Sequence, residues 1–293
     1  MDLKILLEKL SPVNFPVGLG GCKNAGTTFD CCEYNITIFD DKVEEDSIIQ
    51  LDGEFVKLHH GTLSETDSAI LTQYQGMKIL SDDEWNLRIF LSKISEKSKK
   101  ISNSYLKSCL VDASIYATKA MEGIKSSDPF SSCWLKCAAF FIADAILLVN
   151  AKRPSPTHIL EHVRGFKKNR INEAFGVVNQ CIGIERATTS LLQRMSKSTV
   201  GFSDMVEANG HSRIIQLKYD YLIRNSLLTD CYFYLGYTNR NNFIKIKDKI
   251  HRKPELIHIL KIAFDIESDQ LEVERQASVV LRTANELVSM VKK

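Results

Sequence analysis

The sequence predicts an α+β protein: a small mixed sheet over residues 1–82, followed by an all-α helical bundle over residues 83–293. Three observations carry this reading. Up to about residue 82, short segments of alternating polarity are separated by glycine turns; after it, apolar residues recur at i, i+3, i+4 and i+7 over long stretches. Pro129, Pro154, Pro156 and Pro254 fall between those stretches, where helices must stop or begin. With 293 residues, 44% of them hydrophobic and 25% charged, the chain has material for one large core or two ordinary ones, and two packed domains are expected.

Taken in order, "MDLKILLEKL" spaces Leu3, Ile5, Leu6 and Leu10 as a short amphipathic helix, and it is expected not to be an export signal. "VGLGGC" and "YNITIF" read as strands. "SIIQL" and "GEFVKLHH" read as a hairpin closed over Asp52-Gly53, a dipeptide suited to the positive φ angles of a two-residue turn. "SETDSAILTQYQ" places Ser64 as a cap with Asp67 three residues on, close to a capping box, and predicts a helix; "GMKILSDD" returns as a strand. Beyond it, helices are expected near 83–99, 102–125, 131–150, 156–166, 171–197, 211–235 and 268–292. The longest apolar run, "CWLKCAAFFIADAILLVN", is interrupted by Lys136 and Asp144 and is short for a bilayer, so a buried helix and no membrane partner are expected.

The net charge of +2 conceals an uneven distribution. Residues 1–60 carry five Lys or Arg against eleven Asp or Glu, whereas residues 129–252 carry eighteen against nine. An acidic front and a basic middle suit a cation site ahead of an anion-binding surface. None of the eight cysteines forms a CxxC pair; Cys133 and Cys137, at i and i+4 in an apolar helix, read as buried thiols, and a reducing cytoplasm is expected.

The stretch "GLGGCKNAGTTFDCCEYNITIFDD" carries a family resemblance. Leu19-Gly20-Gly21, eleven residues, and then Glu33-Tyr34-Asn35 resemble the motif of the DNA-polymerase-β-like nucleotidyltransferases, in which a hydrophobic-Gly-Gly/Ser turn precedes two acids spaced two apart on a strand. "GMKILSDDEWNLR" is similar to the strand that follows the catalytic sheet in that family. The resemblance implies that Gly20, Gly21, Cys22 and Lys23 meet a nucleotide, and that Glu33 and Asn35 fall on the family's two metal-binding acids. Its third carboxylate belongs on a later strand, here "GEFVKLHHG", where Glu54 is the only acid.

The chemistry explains such a pattern: a glycine turn brings backbone N–H groups to a triphosphate, and carboxylates two apart share one strand face and bridge Mg²⁺ ions for phosphoryl-type transfer. Asn35 departs from it. Losing one unit charge beside an ion costs about 1 kcal/mol at 4 Å in water and about 4 kcal/mol at an effective dielectric of 20, and twice that for a divalent ion. Lys57 on the later strand would repel metal as well. A second register, Asp30 with Cys32, leaves eight residues after Gly21 and puts a thiol in the second position.

"SSCWLKCAAFFIADAILLVNAKRPSPTHILEHVR" resembles a HEPN-type helical domain, covering about residues 102–235, and such domains accompany minimal nucleotidyltransferases. Some are ribonucleases using an Arg and a His with four to six residues between them, and Arg153 and His158 have four between them. The prolines between them predict a helix boundary, with His158 in the first turn of the next helix near Ser155 or Thr157, as a packing residue. "RGFKKNR" and "KIKDKIHRK" are basic clusters able to meet RNA or DNA phosphates, though a solvated helix end has the same composition.

The function expected is that of a nucleotidyltransferase-like two-domain protein with a degraded metal site. It would bind nucleotide or nucleic-acid phosphates in a regulatory role, with weak Mg²⁺ binding and self-association through the helical domain. The alternatives are an active Mg²⁺-dependent enzyme using Glu33, Asn35 and Glu54 to transfer a nucleoside monophosphate to a hydroxyl, and a HEPN ribonuclease. The leading reading requires Glu33, Asn35 and Gly20-Gly21 to share one concave site, with Tyr34 and Ile36 turned into the core.

Overall fold

Strand β1 (Val17–Gly20) is paired on both sides and antiparallel to each neighbour, β2 (Tyr34–Ile38) and β5 (Lys78–Ser81). On the far side of β2, β4 (Glu54–His60) runs parallel to it, and β3 (Ser47–Leu51) completes the sheet as the antiparallel partner of β4, in the order β3-β4-β2-β1-β5. The computed structural model describes residues 14–26, 28–42, 44, 46–266 and 269–291. The helix expected over Leu3–Leu10 lies outside them.

The expected hairpin is present. Its turn is Asp52-Gly53, with φ of 51° and 84°, the left-handed pair that matches the twist of the flanking strands. Period-two alternation then sorts the sheet into two faces. One is apolar: Val17, Leu19, Ile36 and Val56 are buried on it, with Tyr34, Ile38, Leu51 and Leu58 packed against them. The other carries Gly18, Asn35, Thr37 and Lys57, the partners of one another in the β1–β2 and β2–β4 registers.

Part of that second face is covered by a separate cluster: Phe39, the residue after β2, Tyr74 from α2 (Ser68–Tyr74), and Leu87 and Ile94 from α3 (Asn86–Glu96). Each such side chain buried contributes about 1.5–3 kcal/mol, which fastens α3 to the sheet. The cap of α2 is Asp67 rather than Ser64; its carboxylate accepts from the Ala69 and Ile70 N–H groups at 2.7 and 3.3 Å. Asp82 does the same for α3, accepting from Leu87 and Arg88 at 3.2 and 2.8 Å.

The chain divides into two units. The first holds the described residues up to Ser104 together with Glu207–Ile214; the second holds Tyr105–Val206 and the described residues from Ile215 onward. The boundary expected after residue 82 therefore falls inside α4 (Ser98–Lys125), because the apolar face of α3 packs with the sheet cluster.

The helices that follow are α5 (Ser131–Val149), α6 (Ile159–Arg164), α7 (Arg170–Glu173), α8 (Phe175–Ile182), α9 (Thr189–Val206), α10 (His211–Arg224), α11 (Leu228–Lys245), α12 (Leu256–Ala263) and α13 (Gln270–Val291). Two helices expected to be continuous are broken. The one over 171–197 breaks at Gly183, φ 72°, and the one over 211–235 breaks at Ser226, φ 58°, where the Leu227 N–H turns back to the Leu222 carbonyl at 2.9 Å. Apolar periodicity runs through both breaks because the pieces on either side each bury a face.

In the second unit α5 packs against α8, α11 and α13, and α9 against α11 and α12. Among the described residues α5 is the one helix long and apolar enough to cross a membrane, and 89% of its apolar window is buried within the chain. Its two charges are satisfied inside. Lys136 Nζ donates to the carbonyls of Ile182, Phe264 and Asp265 at 3.1, 2.5 and 2.7 Å. Asp144 accepts from Tyr237 Oη at 2.8 Å and from Arg240 Nη2 at 2.7 Å. Buried ions persist only with such partners. The eight cysteines are all free thiols.

Candidate functional site

The β1–β2 register sets Gly20 directly opposite Asn35. Gly21, the next residue, has φ 74° and ψ −169° and leads into the four-residue helix α1 (Cys22–Ala25). A Cβ built at Gly21 would overlap Asn35 Nδ2 and lie 3.1 and 3.2 Å from its Cγ and Cβ. The glycine is therefore required twice over, by its left-handed φ and by the side chain lying across it. Asn35 Nδ2 also reaches the Glu33 carbonyl at 3.5 Å. Glu33 itself precedes the strand, is 9% exposed, and falls on the Asn35 face by alternation; Tyr34 and Ile36 turn to the apolar cluster as expected.

On the parallel neighbour, Lys57 is the register partner of Asn35, and His59 that of Thr37. Lys57 therefore stands next to Asn35 on the same face. A fourth residue completes the group: Asp46 Oδ2 lies 2.8 Å from Lys57 Nζ, and Asp46 Oδ1 lies 2.7 Å from His59 Nδ1. The other ring nitrogen, Nε2, is 3.4 Å from Asn35 Oδ1. Burial pushes the Asp46 carboxyl up, but the His59 hydrogen bond and the Lys57 charge outweigh it and hold the group well below the usual carboxylate range. Asp46 is ionised at neutral pH and engaged by both side chains.

Sequence reasoning did not single out Asp46, although its signal was present. Counting the hairpin register back from the Asp52-Gly53 turn pairs Ser47 with Leu58 and Ile48 with Lys57, and the next step sets Asp46 opposite His59.

Glu54 and Lys23 lie elsewhere. Glu54 pairs with Leu51 in the hairpin and shares the parity of Val56, so it belongs to the apolar face and not to the face of Asn35. There Lys23 Nζ stands 3.6 Å from Glu54 Oε2 and 5.0 Å from the centre of the Tyr34 ring. The expected trio Glu33, Asn35 and Glu54 is thus divided between two faces, because a strand's side chains alternate and Glu54 is an odd number of residues from Lys57. Lys23 likewise leaves Asn35 and is held by an internal carboxylate. Cys22 follows Gly21 as the first residue of α1 and is partly exposed. A two-metal arrangement needs carboxylates facing the ions from one side; on the Asn35 face the Asp46 carboxylate is taken up by Lys57 and His59, which leaves Glu33.

In the second unit, Arg153 lies in the segment between α5 and α6, and His158 immediately precedes α6 instead of sitting within its first turn. His158 is 1% exposed, with ring Nδ1 2.8 Å from Glu161 Oε2, and the His158 backbone N–H donates to the Ser155 carbonyl at 2.8 Å. That is a packed histidine at a helix start. Of the first basic cluster, Arg164 is drawn onto the nearly buried Asp230, with Nη1 and Nη2 at 2.9 and 2.5 Å from its two oxygens, while Lys167 and Lys168 remain exposed. In the second, Lys247 Nζ reaches the Tyr116 hydroxyl at 3.5 Å, and Lys249, Arg252 and Lys253 are exposed.

No protein-family model and no curated protein matches the chain. Among solved structures, a nucleotidyltransferase-like protein from Exiguobacterium sibiricum aligns over 88% of this chain and 89% of its own, at 10% identity and a TM-score of 0.34. At that TM-score the alignment adds nothing to the sheet order, register and side-chain geometry described above.

Proposed function

We propose that the sheet unit is a nucleotidyltransferase-like fold that has lost two-metal catalysis and binds the phosphates of a nucleotide in a regulatory role. The observation that carries this reading is the Asn35–Lys57 register pair beside Gly21. The glycine turn of the motif is kept, while the side chains on the face next to it are Glu33, an amide, and a lysine and a histidine that share the Asp46 carboxylate. A lone ammonium 4 Å from a Mg²⁺ position would oppose the ion by about 8 kcal/mol at an effective dielectric of 20; the Asp46 carboxylate paired to it offsets that repulsion without making the pair a net attraction. The same ammonium favours an anion.

The reading takes the helical unit as a HEPN-like companion domain and the compartment as a reducing one such as the cytoplasm; the helical architecture and the free cysteines support these parts. The test is a thermal-shift titration of the full chain with ATP, GTP, CTP and UTP, each with Mg²⁺ and with EDTA. Stabilisation that changes little with Mg²⁺ is expected. Strong Mg²⁺-dependent stabilisation that disappears in Glu33→Ala, with labelled nucleoside monophosphate appearing on an acceptor, would establish a working enzyme instead.

A further inference from the structure

We propose that Asp46 is a built-in stand-in for a ligand phosphate, occupying Lys57 and His59 until a polyphosphate chain displaces it. This rests on the phosphate-binding reading of the sheet unit and deepens it by naming the groups that take the ligand's charge. A carboxylate and a phosphate share one feature here: two oxygens on a single central atom. Asp46 uses one for each partner, Oδ2 for Lys57 Nζ at 2.8 Å and Oδ1 for His59 Nδ1 at 2.7 Å. The two basic side chains converge on one small anion beside Asn35, whose side chain lies across the Gly21 turn.

The geometry also allows exchange. Lys57, His59 and Asp46 are each partly open to solvent, with side-chain exposures of 18%, 24% and 30%, so an incoming anion can reach them. Lys57 and His59 are fixed on β4, an interior strand paired on both sides. Asp46 precedes β3, an edge strand, so it can swing out without breaking the β2–β4 pairing that positions its two partners. Lys57 and His59 stay and the anion leaves. In this arrangement the protein supplies from its own side chains the positive charge that a metal would bring, and the ligand class is a pyrophosphate or triphosphate moiety, free or borne by a nucleotide.

The test measures binding of tripolyphosphate and of ATP to the full chain in EDTA by calorimetry. Wild type is compared with Asp46→Asn, Lys57→Gln and Lys57→Arg. Removing the competing internal anion should tighten binding at least several-fold in Asp46→Asn; losing the ammonium should weaken it about tenfold in Lys57→Gln, as expected for one hydrogen bond to a charged group; and Lys57→Arg should keep most of it. Equal affinity for the two ligands would identify the phosphate chain alone as what is recognised, and tighter binding of ATP would add the nucleoside; the stand-in role survives in both cases. Binding in wild type that is unchanged or weakened in Asp46→Asn, or indifferent to Lys57→Gln, overturns this inference alone. No binding by wild type and none by Asp46→Asn overturns it together with the phosphate-binding reading. A Lys57→Gln chain that fails to fold leaves the affinity gain in Asp46→Asn as the deciding measurement.

Discussion

The two adjacent glycines of the turn should respond very differently to alanine. At Gly21, φ is 74°, a conformation that costs an L-residue about 1–2 kcal/mol. The new methyl group would also overlap Asn35 Nδ2 and press on its Cγ and Cβ at 3.1 and 3.2 Å, so the Asn35 side chain has to move. That movement breaks its contacts with His59 Nε2 at 3.4 Å and the Glu33 carbonyl at 3.5 Å. Both are long, and together they are worth less than about 1 kcal/mol.

The sum for Gly21→Ala is about 2 kcal/mol of lost stability in the sheet unit. At Gly20 the nearest atoms to an added Cβ are Met77 Cε at 3.5 Å and the Gln73 carbonyl at 3.8 Å, which is ordinary contact on a strand. Gly20→Ala should stay within about 0.5 kcal/mol of wild type. Hydrogen exchange at the amides of β1 and β2 reads the sheet unit separately from the helices, and the opening free energies of the two variants can be compared directly. Equal costs at both positions, or a neutral Gly21→Ala, would refute the reasoning.

Two further outcomes follow from buried charges. Burial lowers the pKa of Lys136 to about 8, yet its ammonium is still the donor to three carbonyls at neutral pH. Lys136→Met should destabilise the helical unit by about 3 kcal/mol, since the gain from removing a buried charge is outweighed by three orphaned acceptors; a variant as stable as wild type in urea would count against that balance. Asp40 is held below its ordinary value of 3.8: burial raises it, but the His60 hydrogen bond and the charges of His60 and Lys42 prevail. The folded chain therefore binds this proton less tightly than the unfolded chain, and the stabilisation is complete above about pH 4 and lost as the pH falls below it. Urea midpoints measured from pH 7 down to pH 3 should fall more steeply for wild type than for Asp40→Asn, and parallel curves would show that the pair contributes nothing.

How much was legible in the sequence depended on whether the controlling interaction was local. The strand segments, the Asp52-Gly53 hairpin and the inward turn of Tyr34 and Ile36 follow from period-two alternation and turn chemistry, which involve neighbours only. The burial of α5 follows from its composition. Even the meeting of Gly20 with Asn35 was anticipated, although by resemblance to a family motif and not by residue chemistry. Local patterns failed where a break leaves the pattern unchanged: apolar periodicity continues across Gly183 and Ser226, so two expected helices are in pieces, and α3, helical by any local measure, joined the sheet because Phe39 and Tyr74 were there to receive Leu87 and Ile94.

The character of the site was decided by pairing between strands distant in sequence. The sequence by itself determined which residue types were available: one acid before the strand, an amide on it, and Glu54, Lys57, His59 and His60 on a later strand. It did not determine which strand β4 would lie beside, or in which direction and register. The parallel β2–β4 pairing sets Lys57 next to Asn35, and the hairpin sends Glu54 to the opposite face and brings Asp46 across to His59. A one-residue slip of that register would exchange the faces, setting Val56 or Leu58 opposite Asn35 in place of Lys57 and turning Glu54 to that side. What holds the register is burial of Val56 and Leu58 against Ile36 on the apolar face, a condition that exists only once the strands have come together.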